Sequence, residues 1–320
     1  MLALVVALGA AGSTRRVEFG FYDTSLSRGD GAALQGSASL WNPGAHDWSK
    51  NATLSVANAV AVFGQTTLPS LLNLEALLFV GLGTSSAGLH PDYAARWSRY
   101  AAVAKPAVAN GTVLGFDLGD ELVYQCVDST NVSTVADAVR REFPRGEAVI
   151  WYNDVAKWNW NFTDKCGVRR EFFIPPALDW FSIDMYHMDG PVAGWVHDHV
   201  QLFYEHFIFP LLGPAQRVAL VPGSFGSDVN HFPNGTYVCD RSCYVDMCTA
   251  DARDFAAWAS SDDRVAAVMP WNWGGCAMCN GSRWTPGHTC CMDEVGTREL
   301  PALRDLWLEL GRNLTRAAEA

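Results

Sequence analysis

The stretch Val113-Leu-Gly-Phe-Asp-Leu-Gly-Asp-Glu121 begins apolar and ends in acid. Asp117, Asp120 and Glu121 crowd its last residues. Burial and a neighbouring like charge both raise a carboxyl pKa, so such a group holds a proton near neutral pH and serves as a general acid. Side chains alternate along a strand. Strict alternation puts Asp117, Gly119 and Glu121 on one face and Asp120 on the other, with Gly119 leaving room beside Glu121. The plain alternative is a structural acid paired with an Arg or a helix N-terminus.

A general acid needs a partner. Asp23, Asp154, Asp184 and Asp228 are the available carboxylates near other strand ends. Asp184 is the first choice, because it lies two residues before Tyr186 and shares its face. Asp154 is the second, and Asp120 stands beside Glu121 in sequence. Aromatic residues collect near the same points: Trp151, Tyr152, Tyr186, Trp271 and Trp273, with Trp158, Trp160 and Trp284 in adjacent loops. Flat rings stack on the apolar faces of sugars, while Asn, Asp and His read hydroxyls. The expected substrate-binding set is Asp23, Asn153, Tyr186, His187, Trp271, Asn272 and Trp273. Taken singly, each Trp also fits a packing role.

Elements must deliver these residues to one place. Strand candidates fall at 17–22, 37–41, 76–82, 113–119, 147–153, 180–186, 217–222 and 265–271. Their unbroken apolar runs suit strands buried on both faces. Helix candidates lie near 52–64, 91–108, 132–143, 192–212, 246–260 and 299–316. Eight strands with intervening helices predict an α/β chain folded as a (β/α)8 TIM barrel. An open doubly wound sheet is the rival, but no glycine-rich phosphate fingerprint follows the first strand. In a barrel, catalytic residues sit at strand C-termini, and the candidate acids do.

Chain-wide features bound the rest. Hydrophobic residues make up 49% of 320 and charged residues 18%, enough for one full core across residues 13–320. The net charge of −11 argues against a nucleic-acid partner, which needs a basic face. Residues 2–11 form an apolar run followed by small residues, which reads as a signal peptide over 1–12. That run is too short to span a membrane, and no other reaches the ~18 residues a span requires. Seven Asn-x-Ser/Thr sequons, at Asn51, Asn110, Asn131, Asn161, Asn234, Asn280 and Asn313, take half of the 14 asparagines. The expectation is a secreted glycoprotein.

The nine cysteines are Cys126, Cys166, Cys239, Cys243, Cys248, Cys276, Cys279, Cys290 and Cys291. In an oxidising compartment they become disulfides, and all of them map to loops on the C-terminal face of the barrel. Nine is odd, so one thiol is left over or pairs between chains. A zinc site at Cys276-Ala-Met-Cys279 with Cys290-Cys291 is the competing reading. His197-Asp-His199 has ligand-like spacing, but residues i and i+2 of a helix do not face each other. No metal and no cofactor is assigned, and the oligomeric state stays open.

Gly115-Phe-Asp-Leu-Gly-Asp-Glu121 resembles the fourth-strand motif of (β/α)8 glycoside hydrolases. It is similar to the chitinase-type family 18 signature GFDxDxE, and also to the adjacent acid pair of the large cellulase-like clan. Met185-Tyr186 and Met269-Pro-Trp271 resemble family 18 positions where a Tyr orients substrate and a Trp floors a sugar subsite. The resemblance implies a glycosidase acting on an oligo- or polysaccharide, with Glu121 as general acid/base. Two departures stand out. Family 18 needs an Asp two residues before the catalytic Glu, and Gly119 stands there. The clan needs a Glu nucleophile after strand seven, where this chain has Val221-Pro-Gly-Ser-Phe225. A glycan-binding barrel without catalysis is therefore the alternative, and a metal-dependent hydrolase on the same barrel is the second.

Overall fold

The computed structural model describes residues 16–22, 33–43, 50–155, 166–167, 172–186, 194–226, 230–231, 237–239, 241–271, 273 and 295–316. Seven strands form one sheet: β1 (Glu18–Phe19), β2 (Ser70–Asn73), β3 (Val113–Asp120), β4 (Val149–Val155), β5 (Trp180–Asp184), β6 (Arg217–Leu220) and β7 (Val265–Val268). Their spatial order is β1-β7-β6-β5-β4-β3-β2, and every pairing is parallel. Parallel neighbours need crossovers, and helices supply most of them.

The two edge strands meet through a short extended segment. Ser39 and Leu40 amides donate to Phe19 O at 2.7 and 3.2 Å. The Trp41 amide donates to Pro69 O, and the Leu71 amide returns a bond to Trp41 O, both at 2.9 Å. Residues 39–41 thus occupy the place expected of the second strand, although Trp41 forms only an isolated bridge there. The result is a TIM-barrel-like α/β fold. Counting this segment, β3 is the fourth wall element.

Six helices matter for the argument: α1 (Ala52–Thr66), α2 (Glu75–Leu78), α3 (Tyr93–Ala109), α4 (Ser129–Glu142), α5 (Arg241–Ser261) and α6 (Pro301–Arg316). Local sequence explains their ends. Asn51 caps α1 by accepting from the Leu54 amide at 3.1 Å, and Asp128 caps α4 by accepting from the Thr130 amide at 2.8 Å. Val132, Val135, Ala136 and Val139 make the buried stripe of α4 at helical spacing. In α6 the stripe is Leu303, Trp307, Gly311 and Leu314. Gly311 lets the helix touch the barrel, because a Cβ there would lie 2.3 Å from the Phe19 ring. The expected helix at 192–212 is present as π-helical turns at Val196–Gln201 and Tyr204–Ile208 with a 3-10 turn at Phe209–Leu211.

The core has two layers. Tyr22, Leu71, Trp151, Trp180, Ala219 and Met269 belong to the set that fills the inside of the curled sheet. A larger set, including Phe116, Ile150, Phe181 and Val268, packs the sheet against its helices. Continuous apolar strands serve both layers at once.

One strand lies elsewhere than expected. The third strand is Ser70–Asn73, not 76–82, where the chain forms α2 and a two-residue ladder, Phe79–Val80 with Gly88–Leu89. Two apolar runs compete here, Leu71-Leu72 and Ala76 to Val80. The first wins because it pairs in parallel with β3 and is wholly buried. Asn73 therefore ends the third barrel strand.

Among the cysteines, Cys126 and Cys166 form a disulfide that links the loop after β3 to the loop after β4. Cys243 is also disulfide-bonded, while Cys248 is a free, buried thiol facing Phe225 O. The side chain of Cys239, and Cys276, Cys279, Cys290 and Cys291 altogether, lie outside the described residues, and so does the expected signal peptide. Among the described residues, no helix is long and apolar enough to cross a membrane.

Candidate active site

Because all seven strands run parallel, their C-termini share one mouth. Asp120, Asn153 and Asp184 close on each other there. Asn153, fully buried on β4, donates one Nδ2 proton to Asp120 Oδ1 at 2.9 Å and the other to Asp184 Oδ1 at 2.8 Å. Its own Oδ1 accepts from Ser182 Oγ at 2.6 Å, and that hydroxyl accepts from Trp151 Nε1 at 2.9 Å. Every hydrogen-bonding capacity of the amide except one lone pair is used, so its orientation is fixed. Two further hydroxyls reach the acids: Tyr22 bonds Asp120, and Tyr186 bonds Asp184.

A bulge places Asp120 in this cluster. Asp117 pairs with Trp151 and Asp120 with Asn153, so three steps along β3 match two along β4. The extra residue returns Asp120 to the inner face that Asp117 already occupies. Simple alternation, with Asp120 opposite Asp117, fails for this reason. Gly119 carries the irregularity at φ 143°, a backbone state that favours glycine. A Cβ there would also lie 3.0 Å from Glu75 Cβ and Leu122 Cδ2.

Glu121 follows in the left-handed region at φ 50°. A non-glycine residue held so costs on the order of 1–3 kcal/mol, and such strain clusters at functional sites. Its amide donates to Asn153 O at 3.0 Å, which ties it to the same asparagine. Its side chain is half-buried, and its charge acts on both Asp184 and Tyr186. Glu121, Asp184 and Asp120 therefore form one acidic group at the mouth.

The electrostatics follow from burial. Asp184 is pushed well above the usual carboxylate range, first by burial and then by the charges of Asp120 and Glu121. Burial also raises Asp120, against the pull of Asn153 and Tyr22. Two interacting carboxyls on one amide give up their protons in steps that belong to the pair. Beneath them Asp117 accepts from Asn73 Nδ2 at 2.8 Å and from the Gly119 amide at 3.0 Å, and burial pushes it up to about 7. Burial holds Tyr22 and Tyr186 well above the ordinary phenol value, so both remain hydroxyl donors.

An aromatic wall borders the acids. Tyr186 stacks on Trp271 with centroids 5.4 Å apart and planes 15° from parallel. Phe225 meets both edge-on, at 5.8 and 5.0 Å. Trp271 and Tyr186 are half-buried, so part of each is open to the mouth.

Other expected site residues are placed differently. Asp154 is buried on the opposite face of β4 from Asn153, where it accepts from the Tyr152 hydroxyl and the Val155 amide. Burial pushes it up to about 7 as well, but it lies outside the acidic group at the mouth. Trp273 is fully buried against Phe21, 4.7 Å between centroids, and packs the core. Asn153 is expected to read substrate and instead spends its donors on the two acids. Asp23, His187, Asn272, Trp158, Trp160, Trp284 and Asp228 lie outside the described residues. After β6, where a clan nucleophile would stand, Ser224 is buried and bonded to Thr297 at 2.6 Å. Among the described residues, no group of three or more His, Cys, Asp or Glu is arranged to hold a metal.

Sequence reading passes over Glu75, Asn73, Tyr22 and Ser182. The first two follow Pro69-Ser-Leu-Leu and would have been found had the third strand been set there. Tyr22 and Ser182 are single polar groups inside apolar runs, the period-2 mark of a residue facing a barrel interior.

No family model matches the chain, and no curated protein matches it in sequence. Solved structures do match. A GH2 β-galacturonidase from Eisenbergiella tayi superposes with a TM-score of 0.55 at 12% identity over 92% of this chain and 51% of its own. A GH113 β-1,4-mannanase gives 0.52 at 12% identity over 92% of this chain and 98% of its own. A β-glucuronidase from Ruminococcus gnavus gives 0.52 at 12% over 91% and 50%. This chain spans about half the length of the two uronidases and nearly all of the mannanase. The fold is thus shared with glycoside hydrolases, and at this identity the likeness is one of fold. The family 18 resemblance has no counterpart among these three.

Proposed function

We propose that this protein is a glycosidase acting on an oligo- or polysaccharide, with Glu121 as general acid/base and Asp184 as its partner carboxylate. The observation that carries the reading is the convergence of Glu121, Asp184 and Asp120 at the C-terminal mouth, beside the Tyr186–Trp271 stack. Asp120 and Asp184 accept from the same amide nitrogen, and Glu121 follows Asp120 directly. The separation of the Glu121 and Asp184 carboxyls sets the outcome: a short one suits a retaining displacement with direct attack by one carboxyl, and a longer one an inverting displacement with a water between them. The Trp271 face would hold a sugar ring against this pair.

Among the described residues no cation acts on Asp120 or Asp184, so the acids keep their protons to higher pH, as proton donation to a leaving oxygen requires. The same reading takes the chain as secreted and N-glycosylated, with Asn51, Asn110 and Asn313 exposed for the modification.

A second reading has specific support. The acid expected after β6 is missing and Ser224 is buried in its place, so a barrel that binds glycan without cleaving it would keep the aromatic wall and lose the chemistry. Incubation with β-linked oligosaccharides separates the two. A hydrolase releases reducing ends, and Glu121→Gln lowers the rate about 10²–10⁴-fold while binding persists. Binding without release, unchanged in the variant, would establish the second reading.

A further inference from the structure

Glu75 opens the short helix α2 directly below the strand-end acids. Its Oε2 accepts the Asp120 amide proton at 2.8 Å. Asn73 Oδ1 accepts the Glu75 amide at 3.0 Å, and Asn73 Nδ2 donates to Asp117. Asp117 in turn accepts the Gly119 amide. The β3 bulge is therefore gripped at two successive amides, Gly119 by Asp117 and Asp120 by Glu75. The grip matters because Gly119 and Glu121, on either side of Asp120, both hold positive φ. Backbone in such states persists only where its surroundings over-determine it. An amide bond to a carboxylate is also stronger when the carboxylate is ionised.

We propose that Glu75 is a positioning residue: through the Asp120 amide it fixes the bulge that presents Asp120 and Glu121, and its ionisation tightens that grip. The kinetic part of this proposal rests on the glycosidase reading; the structural part does not. The charged groups that face Glu75 are Asp120 and Asp117 of β3, both acids, and no cation opposes them among the described residues. Burial first, then these two charges, push Glu75 up to about 7, against the pull of the Asp120 amide. The grip is therefore tight above neutrality and slack below it.

Amide NMR of the intact, isotopically labelled chain tests this directly. In the wild type the Asp120 amide proton should move downfield as pH rises through about 7. In Glu75→Gln, which keeps a carbonyl acceptor but has no proton to lose, that response should shrink to what Asp117 and the Asp120 carboxyl themselves cause. A wild-type amide that stays flat from pH 5 to 9 overturns the proposal without any variant, so an unstable variant does not protect it. An equal response in the variant overturns it too. For hydrolysis, Glu75→Gln should weaken or shift the inflection near pH 7 in the kcat profile and leave KM unchanged. An unaltered profile overturns the kinetic part. If the wild type cleaves no glycan at any pH, the glycosidase reading fails, and the amide titration alone decides the role of Glu75.

Discussion

Strand β5 has an aspartate at each end, and the two live under opposite rules. Asp179, just before the strand, accepts from Arg140 Nη2, from Arg145 Nη1 at 2.6 Å and from the Ile150 amide at 2.8 Å. Its main chain joins in, because the Arg217 amide donates to its carbonyl. One residue thus ties α4, β4, β5 and β6 together at the N-terminal mouth, the first two through its carboxylate and β6 through its carbonyl. Asp184, at the other end, faces the carboxylates Asp120 and Glu121 and is neutralised by no cation among the described residues. Charge is matched where the barrel is held and mismatched where it would act. In a barrel the N-terminal face carries stability and the C-terminal face carries chemistry. Here the division shows within a single strand.

The largest expected effect lies at the C-terminal mouth. Asp184→Asn should cut glycan hydrolysis by about 10²–10⁴-fold and leave the melting temperature nearly unchanged. Loss of fold stability in place of activity would merge the two mouths and break the comparison.

The disulfide between Cys126 and Cys166 bears on the same face, and it closes a sequence separation of 40. By loop entropy its removal through Cys126→Ser with Cys166→Ser should cost about 4 kcal/mol. Denaturant unfolding of the double variant would measure this, and a cost near zero would show the C-terminal loops to be held by packing alone.

Arg140→Ala should be the mirror image of Asp184→Asn. Breaking a largely buried ion pair while the acid remains costs about 3 kcal/mol, and Arg145 retains part of the neutralisation. Denaturant unfolding should show the loss, with kcat unaltered. A large fall in kcat at full stability would place chemistry at the wrong mouth.

The last effect is the pH dependence. Burial pushes Glu75, Asp117 and Asp154 up to about 7 in the fold, against ordinary values of 4.5, 3.8 and 3.8. Each folded pKa is raised, so the folded state binds more protons than the unfolded one between those limits. Stability is then greatest below about pH 4 to 4.5 on this account and is lost as pH rises to about 7, where it levels off. Thermal melts should show the midpoint falling over that window, with a shallower slope in Glu75→Gln. A rise over the same window would mean that hidden cations neutralise these acids.

Much of this was legible in the primary sequence. The run from Val113 to Leu118 is apolar except for Asp117, and its acid pair falls at a strand end because charge cannot continue into the core. Tyr186 and Trp271 sit just beyond β5 and β7, where barrel geometry puts contact residues. Capped, striped helices such as α4 and α6 declare themselves through Asp128 and the spacing of Leu303, Trp307, Gly311 and Leu314. These features depend on residues near one another in the chain, so periodicity and capping chemistry suffice to read them.

Only the tertiary structure decided the rest. Whether Leu71-Leu72 or Ala76 to Val80 enters the sheet depends on which run finds β3 as a neighbour. Whether Asp120 points inward depends on a bulge matched against β4 and gripped by Glu75 and Asp117. Asn153 reads as a substrate contact until Asp120 and Asp184 are seen to share its amide. Asp154 sits one residue from that asparagine and faces away, and Trp273 vanishes into the core two residues after the open Trp271. Asp154 excepted, the outcome turns on a partner 30 or more residues away, and a strand's own period of two reverses with a single inserted residue.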